Sequence, residues 1–213
     1  MIRVLLVDDH AIVRFGLARL LANEPDVVIA GEAADPVAAL ELVATASPDV
    51  ALVDVTLGNT SGIDLVRPMK EALPRLAVLV VSMHDEMLYA ERALRVGASG
   101  YVMKHEATDV IVRAVRTVAD GGLFVSDAIS MHVVQRWAAH GAPTNDSPLA
   151  GLSDRELQVL QLMGKGLGTR VIAEQMHISV KTVESYRARL KDKMNLRSGT
   201  ELLRFAVRWA EKA

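Results

Sequence analysis

The sequence predicts a doubly wound α/β domain with a five-stranded parallel sheet, followed by a second, all-α helix–turn–helix domain. Three observations carry this reading. Short aliphatic and β-branched runs alternate with helical patterns through the first 118 residues. Several of these runs, VLLV, VALVD and AVLVV, are almost wholly apolar, as strands covered by helices on both faces must be. Residues 152–194, LSDRELQVLQLMGKGLGTRVIAEQMHISVKTVESYRARLKDKM, form a compact basic pattern of short helices.

The strands are expected at Arg3–Val7, Val27–Glu32, Val50–Asp54, Ala77–Val81 and Tyr101–Met103. Helices are expected at about 11–22, 35–45, 62–72, 85–96 and 107–118. Five strand–helix pairs of this size suggest a doubly wound sheet, whose ligand site lies beyond the carboxyl ends of its strands. Gly121-Gly122 closes that pattern. SDAISMHVVQRWAA, residues 126–139, reads as a separate helix capped by Ser126 or Asp127. HGAPTNDSPLAG is polar and turn-rich, a linker. Four more helices fit residues 153–210. The expected division is a domain over 1–119, a connecting helix and linker over 120–148, and a domain over 149–213.

The net charge of -2 hides an asymmetry. Residues 1–149 carry 12 Lys+Arg against 19 Asp+Glu, a net of -7; residues 150–213 carry 12 against 7, a net of +5. A basic output domain joined to an acidic partner domain fits this better than one uniform enzyme. There is no cysteine, which excludes disulfides, a thiol nucleophile and thiolate metal sites. The opening MIRVLLVDDH is too short in its apolar run, and too acidic at its end, to be a signal peptide. No apolar stretch approaches a membrane helix. A cytoplasmic protein with no membrane partner is expected.

Asp8 and Asp9 end the first strand and Asp54 ends the third. Neighbouring central strands would bring these carboxylates into one crevice, where a hard divalent cation relieves their repulsion. An Asp carboxylate is also a nucleophile towards phosphorus. Ser82, just past the fourth strand, could donate a hydroxyl to a phosphoryl oxygen. Lys104, just past the fifth, could supply positive charge to the same group. One acid at a strand end usually caps a helix or faces solvent; five polar groups at the same strand ends argue for a site.

These residues lie in VLLVDDH, LVDVTLGNTSGIDL, VLVVSMH and GASGYVMKHE, and with them the first domain resembles the receiver domain of bacterial two-component response regulators. The resemblance implies a flavodoxin-like fold with Asp54 as phosphoacceptor. Asp8, Asp9, Asp54 and the Thr56 backbone carbonyl would hold Mg²⁺ (or Mn²⁺). Ser82 would be the switch hydroxyl, Lys104 the family lysine and Tyr101 the aromatic group that reorients on activation. Thr56 and His84 would flank the site where phosphate lifetime is tuned. A sensor histidine kinase would donate the phosphoryl group. The chain departs from the family at Leu57-Gly58, where Met-Pro is common, and at His105, where Pro is common. Pro68 falls inside the third helix, which either bends there or starts later. None of these removes a reacting group.

In the second domain Ser153 and Glu156 form a capping box. Thr169 starts a short helix, Ile178-Ser179 makes the turn, and Ser179 caps the second helix of the pair, 180–194. On that helix Val183, Leu190 and Met194 share one side, with Tyr186 nearby. They are expected to pack on Val159, Leu162, Ile172, Ala173 and Met176. Lys181, Glu184, Ser185, Ala188 and Asp192 lie opposite, small and polar enough to enter a major groove. Thr182, Arg187, Arg189, Lys191 and Lys193 sit at the flanks or near the end, placed for phosphate.

LSDRE, GxxxxxIA and IS-KTVESYRARLKDKMNLRSGTELL are similar to the LuxR-type helix–turn–helix of the NarL/FixJ class of response regulators. The resemblance implies double-stranded promoter DNA as partner, with Glu184, Ser185 and Ala188 facing the groove. Lys181, Thr182, Arg187, Arg189 and Lys191 would be phosphate or edge contacts. It also implies a homodimer on paired half-sites, partly through the last helix. Gly168-Thr169-Arg170 replaces the commoner Ser/Thr-Asn-Lys/Arg, and Tyr186 the commoner His. The whole reads as a transcription factor, not a turnover enzyme. Two alternatives stand beside it: a phosphoryl-relay protein or phosphatase of haloacid-dehalogenase type, which normally has its Asp nucleophile on the first strand, and a receiver whose output binds protein or RNA.

Overall fold

A computed structural model of the chain describes residues 1–83, 85–106, 108–140, 149 and 151–210. They form two compact units, Met1–Gly141 and Ala142–Ala213. The first runs β1 (Ile2–Val7), α1 (Ala11–Ala22), β2 (Val27–Ala33), α2 (Pro36–Ala46), β3 (Val50–Asp54), β4 (Thr56–Leu57), β5 (Thr60–Ser61), α3 (Gly62–Ala72), β6 (Ala77–Ser82), α4 (Glu86–Arg95), β7 (Gly100–Met103), α5 (Thr108–Ala119) and α6 (Asp127–His140).

Five strands form one sheet in the order β2-β1-β3-β6-β7, with every pairing parallel. This is the expected doubly wound sheet. Its central strands are apolar on both faces because helices cover both. Val4, Leu6, Leu52, Leu79 and Val81 pack with Ile111, Val115 and Val118 of α5. On the strands' alternate positions Leu5, Val53, Val78 and Val80 are buried as well. Burying one such side chain contributes roughly 1.5–3 kcal/mol. The register brings the site together: Val7 pairs with Val53, Asp54 with Val81, and Ser82 with Met103. The residues that leave the strands, Asp8, Asp54, Ser82 and Lys104, therefore exit at nearly one level.

Three features go beyond the sequence reading. A small antiparallel hairpin, β4–β5, follows β3 directly. After α5 the chain returns along the edge of β7, where the Tyr101 N–H donates to the Phe124 carbonyl at 2.9 Å and the Phe124 N–H to the Ser99 carbonyl at 3.0 Å. Helix α6 then packs on α4, so the expected connecting helix lies within the first unit. Its cap is Ser126, whose Oγ accepts the Ile129 N–H at 3.2 Å. Helix α3 starts at Gly62 and continues through Pro68. The side chain of Trp137 lies outside the described residues, as do His84 and the linker 141–148.

The second unit holds α7 (Asp154–Gly164), α8 (Thr169–Gln175), α9 (Val180–Lys193) and α10 (Gly199–Ala210). Val183 and Leu190 of α9 pack into a core with Val159, Ile172, Ala173, Met176, Leu202 and Ala206, and Leu162, Tyr186 and Met194 lie against it. The expected apolar side of the second helix is thus the buried one. Among the described residues no helix is long and apolar enough to cross a membrane.

Candidate functional site

The carboxyl end of the sheet carries an acidic centre. Asp8 and Asp54 are almost fully buried, and Ser82 wholly so. Lys104 reaches back from the end of β7 and sets its Nζ 2.5 Å from Asp8 Oδ2 and 2.8 Å from Asp54 Oδ2. One ammonium thus bridges two acids. Asp9 is the outer member, with Oδ2 accepting the Gly58 N–H at 2.8 Å. Its Oδ1 is shielded from solvent and has no hydrogen bond among the described residues, although His10 Nδ1 stands 2.7 Å away.

Burial pushes the Asp54 carboxyl up to about 6; Lys104 and a backbone hydrogen bond from Thr56 oppose this, and Asp8 reinforces it. Burial pulls Lys104 down, but Asp54 and Asp8 outweigh it and hold the ammonium above its ordinary value. Lys104 therefore stays charged. Three carboxylates facing one lysine leave negative charge to be compensated. One ligand atom from each of Asp8, Asp9, His10 and Asp54 lies within 4.8 Å of all the others. Carboxylate oxygens packed so closely, one of them without a hydrogen bond, fit a hard divalent cation that prefers oxygen and keeps some of its waters. His10 was missed as a member of this set. Its only signal was its place beside Asp8-Asp9.

Tyr101 is buried, and its hydroxyl shares a hydrogen bond with Ser82. Burial holds the phenol well above its usual range, so it stays protonated. Thr56 opens the β4–β5 hairpin beside Asp54, with Ser61 as its partner. Asp8, Asp9, Asp54, Thr56, Ser82, Tyr101 and Lys104 thus gather at one end of the sheet, while His84 lies outside the described residues.

Two glycines hold this end together. Gly58 stands at φ +55, a conformation that favours glycine, and there its N–H meets Asp9. Proline, the residue common here in the family, has neither that φ nor an N–H. Gly62 starts α3 so close to β3 that a Cβ would fall 1.8 Å from the Asp54 carbonyl oxygen. The sequence marks Gly58 only as a departure from the family that removes no reacting group, and it does not single out Gly62. The signal for Gly58 was the departure from Pro; for Gly62 there was none, because its constraint is a contact with another element.

The second unit presents α9. Ser179 caps it by accepting the Thr182 N–H at 3.0 Å. Lys181, Glu184, Ser185, Ala188 and Asp192 are exposed together along one side, as the wheel predicts. Arg189 is also exposed, with its guanidinium 5.9 Å from the Tyr186 ring centroid. Thr182 and Lys191 lie half-buried at the flanks. Two basic residues have partners within the domain. Lys193 Nζ donates to the Gly151 carbonyl at 3.0 Å and pairs with the buried Glu156 at 2.8 Å, so it ties α9 to the start of α7. Arg187 Nη1 donates to Thr169 Oγ1 and, at 3.3 Å, to Glu184 Oε1. Glu156 also completes the capping box, taking the Ser153 N–H at 2.8 Å.

Comparison with known proteins agrees with both units. Residues 4–116 match the response regulator receiver domain, and residues 150–206 match the bacterial regulatory proteins of the luxR family. The chain is 33% identical over 210 residues to the oxygen regulatory protein NreC of Staphylococcus carnosus, with 97% of each chain covered. It is 32% identical over 213 residues to the transcriptional regulatory protein DegU of Brevibacillus brevis, covering 94% of this chain and 90% of that one. The signal receiver domain of NarL from Mycobacterium tuberculosis is similar with a TM-score of 0.54 and 37% identity, covering 56% of this chain and 97% of that one. The response regulator ChrA of a heme-sensing two-component system is similar with a TM-score of 0.52 and 28% identity, over 100% of this chain and 98% of that one. The chain belongs to the response regulators that join a receiver domain to a DNA-binding domain of the luxR family.

Proposed function

We propose that this response regulator is switched by phosphoryl transfer from a sensor histidine kinase to Asp54, and that the phosphorylated form binds promoter DNA through α9. The observation that carries the reading is the Lys104 ammonium, on a side chain only 10% exposed, bridging Asp54 and Asp8 at the strand ends. It holds positive charge where a phosphoryl group on Asp54 would place its oxygens.

Transfer breaks the phosphorus–nitrogen bond of a phosphohistidine and forms a phosphorus–oxygen bond to Asp54. The attacking carboxylate must be ionised, and with a pKa of about 6 it is mostly so at neutral pH. Asp8, Asp9, Asp54 and the Thr56 carbonyl are the groups to hold a Mg²⁺ (or Mn²⁺) ion, whose chemistry there is to neutralise charge on the transferring oxygens. The Ser82 hydroxyl, now bonded to Tyr101, is the donor for a phosphoryl oxygen. When it turns to the phosphate, Tyr101 loses that bond. The change reaches the edge of β7, to which the chain after α5 is bonded. Hydrolysis of the acyl phosphate resets the site. Each chain accepts one phosphoryl group and acts as a regulator, not a turnover enzyme.

On DNA, the exposed side of α9 faces the groove with Glu184, Ser185 and Ala188, while Lys181, Thr182, Arg189 and Lys191 contact phosphates or edges. Two copies read related half-sites as a homodimer. Leu203, 43% exposed on α10, supports that helix as part of the contact. The location this implies is the cytoplasm, where DNA and the kinase histidine are both present.

The test is affinity for a genomic fragment library before and after acetyl phosphate or beryllofluoride with Mg²⁺, using Asp54→Ala as control. Selective binding that is strengthened by treatment and unresponsive in the control is expected. Selective binding indifferent to treatment would remove Asp54 as the switch. No selective binding would turn the output domain towards a protein partner.

A further inference from the structure

We infer that Arg187 is a positioning residue for base recognition, not a phosphate contact: Thr169, Arg187 and Glu184 form a brace that fixes the Glu184 carboxylate to accept a hydrogen bond from a cytosine amino group. The inference rests on the DNA-reading role of α9 proposed above.

The geometry sets Arg187 apart from its basic neighbours. Its Nη1 bonds Thr169 Oγ1, on the first residue of α8, and Glu184 Oε1, one turn earlier on α9. Its Nη2 lies 3.9 Å from where a Cβ on Gly199 would stand, at the first residue of α10. The guanidinium therefore sits among the ends of two helices and the flank of a third. Its side chain is only 27% exposed, against 56% for Glu184. An arginine that clamps a phosphate presents its planar fork outward with its donors free. This one spends donors within the domain, and what it pushes outward is the acid.

An acid on a DNA-facing surface needs such a partner. A lone carboxylate is repelled by phosphates and loses its water on docking, at a cost that grows as it is buried. Arg187 supplies the opposite charge and occupies Oε1, which leaves Oε2 as acceptor. In the major groove cytosine offers the N4 amino donor, whereas guanine offers the acceptors N7 and O6, and thymine O4. Adenine offers a donor too, but beside the N7 acceptor, which repels a carboxylate. A single acceptor held in place selects cytosine. Thr169 completes the brace by anchoring the long arginine side chain on another helix. It falls in Gly168-Thr169-Arg170, the stretch where this chain departs from the commoner family run.

The test uses the full chain and a randomised duplex library. Base preference and the slope of log affinity against log salt are measured for wild type and for Glu184→Gln, Arg187→Met, Thr169→Val and Thr169→Ser. Glu184→Gln is expected to weaken the preference for cytosine at one position by about tenfold. Arg187→Met and Thr169→Val are expected to weaken it at that same position with the salt slope unchanged, and Thr169→Ser, which keeps the hydroxyl, to behave as wild type. Thermal melting guards against misfolding; should Arg187→Met not fold, Thr169→Val, which replaces only a hydroxyl by a methyl group, decides alone. The inference is overturned if Arg187→Met flattens the slope by about 0.9, one phosphate contact, and leaves the preference intact. It is equally overturned if Glu184→Gln or Thr169→Val keeps the cytosine preference. Selection of no sequence by the wild type would instead sink the DNA-reading role of α9.

Discussion

Gly58 gives Asp9 a hydrogen bond from a backbone that proline cannot adopt. Gly58→Pro should therefore weaken Mg²⁺ binding about tenfold, the usual worth of a hydrogen bond to a charged group. Gly58→Ala keeps the N–H but strains the left-handed backbone by about 1 kcal/mol, so it should fall between the two. Calorimetric titration with Mg²⁺ checks the order, and equal affinity in all three would show that Asp9 needs no such support. Charge at Asp54 also couples to stability. The fold holds the Asp54 carboxyl at about 6 against an ordinary 3.8, chiefly by burial. The protonated form is thus the one the fold favours. Its stabilising contribution is complete below 3.8 and is lost as pH rises through about 6. A gap of that size corresponds to about 3 kcal/mol. Asp54→Asn stays neutral at every pH and leaves Lys104 paired with Asp8. Without Mg²⁺ it should melt above wild type at about pH 7.5, and the gap should close near pH 4. A gap independent of pH would rule out charge as its cause.

Helix α9 begins at a single side-chain cap, Ser179, whose oxygen takes the Thr182 N–H. Ser179→Ala should cost about 1 kcal/mol and Ser179→Asp should restore most of it. Melting of the second unit checks this; no loss in the alanine variant would mean that tertiary packing alone starts the helix. That cap was legible in the sequence, as were the capping box of α7, the apolar side of α9 and the five sheet strands. Each of these is signalled by residues close together along the chain. What escaped is non-local. The β4–β5 hairpin has two residues per strand, too few for an alternating pattern. The return of the chain along β7 rests on one bridge, Gly100 with Phe124, which periodicity cannot reveal. Lys193 falls among basic residues on the wheel and looks free for phosphate, yet its partner Glu156 lies 37 positions earlier. The acidic site was legible because a parallel sheet lines up its carboxyl ends; the glycines and His10 that complete it depend on distances only the fold supplies.

The two halves of the chain differ in charge sign, and at the scale of the molecule the question is how an event at Asp54 changes binding at α9. Thermodynamic linkage gives an answer that needs no assumption about how the units sit. If beryllofluoride with Mg²⁺ raises affinity for a selected duplex by some factor, the duplex must raise affinity for beryllofluoride by the same factor, typically about 5–150-fold. Both titrations are needed, at matched protein concentration, because dimer formation would enter either one alone. Affinity itself should fall steeply with salt, since basic side chains release counterions from the duplex. The coupling factor should fall far less: most of those phosphate contacts are made in both states and cancel from the ratio. Coupling that vanished with salt would mean that phosphorylation acts by changing the number of phosphate contacts. A factor of one in both directions would leave the two units sharing a chain without sharing an equilibrium, and Asp54 would then act on something other than DNA affinity.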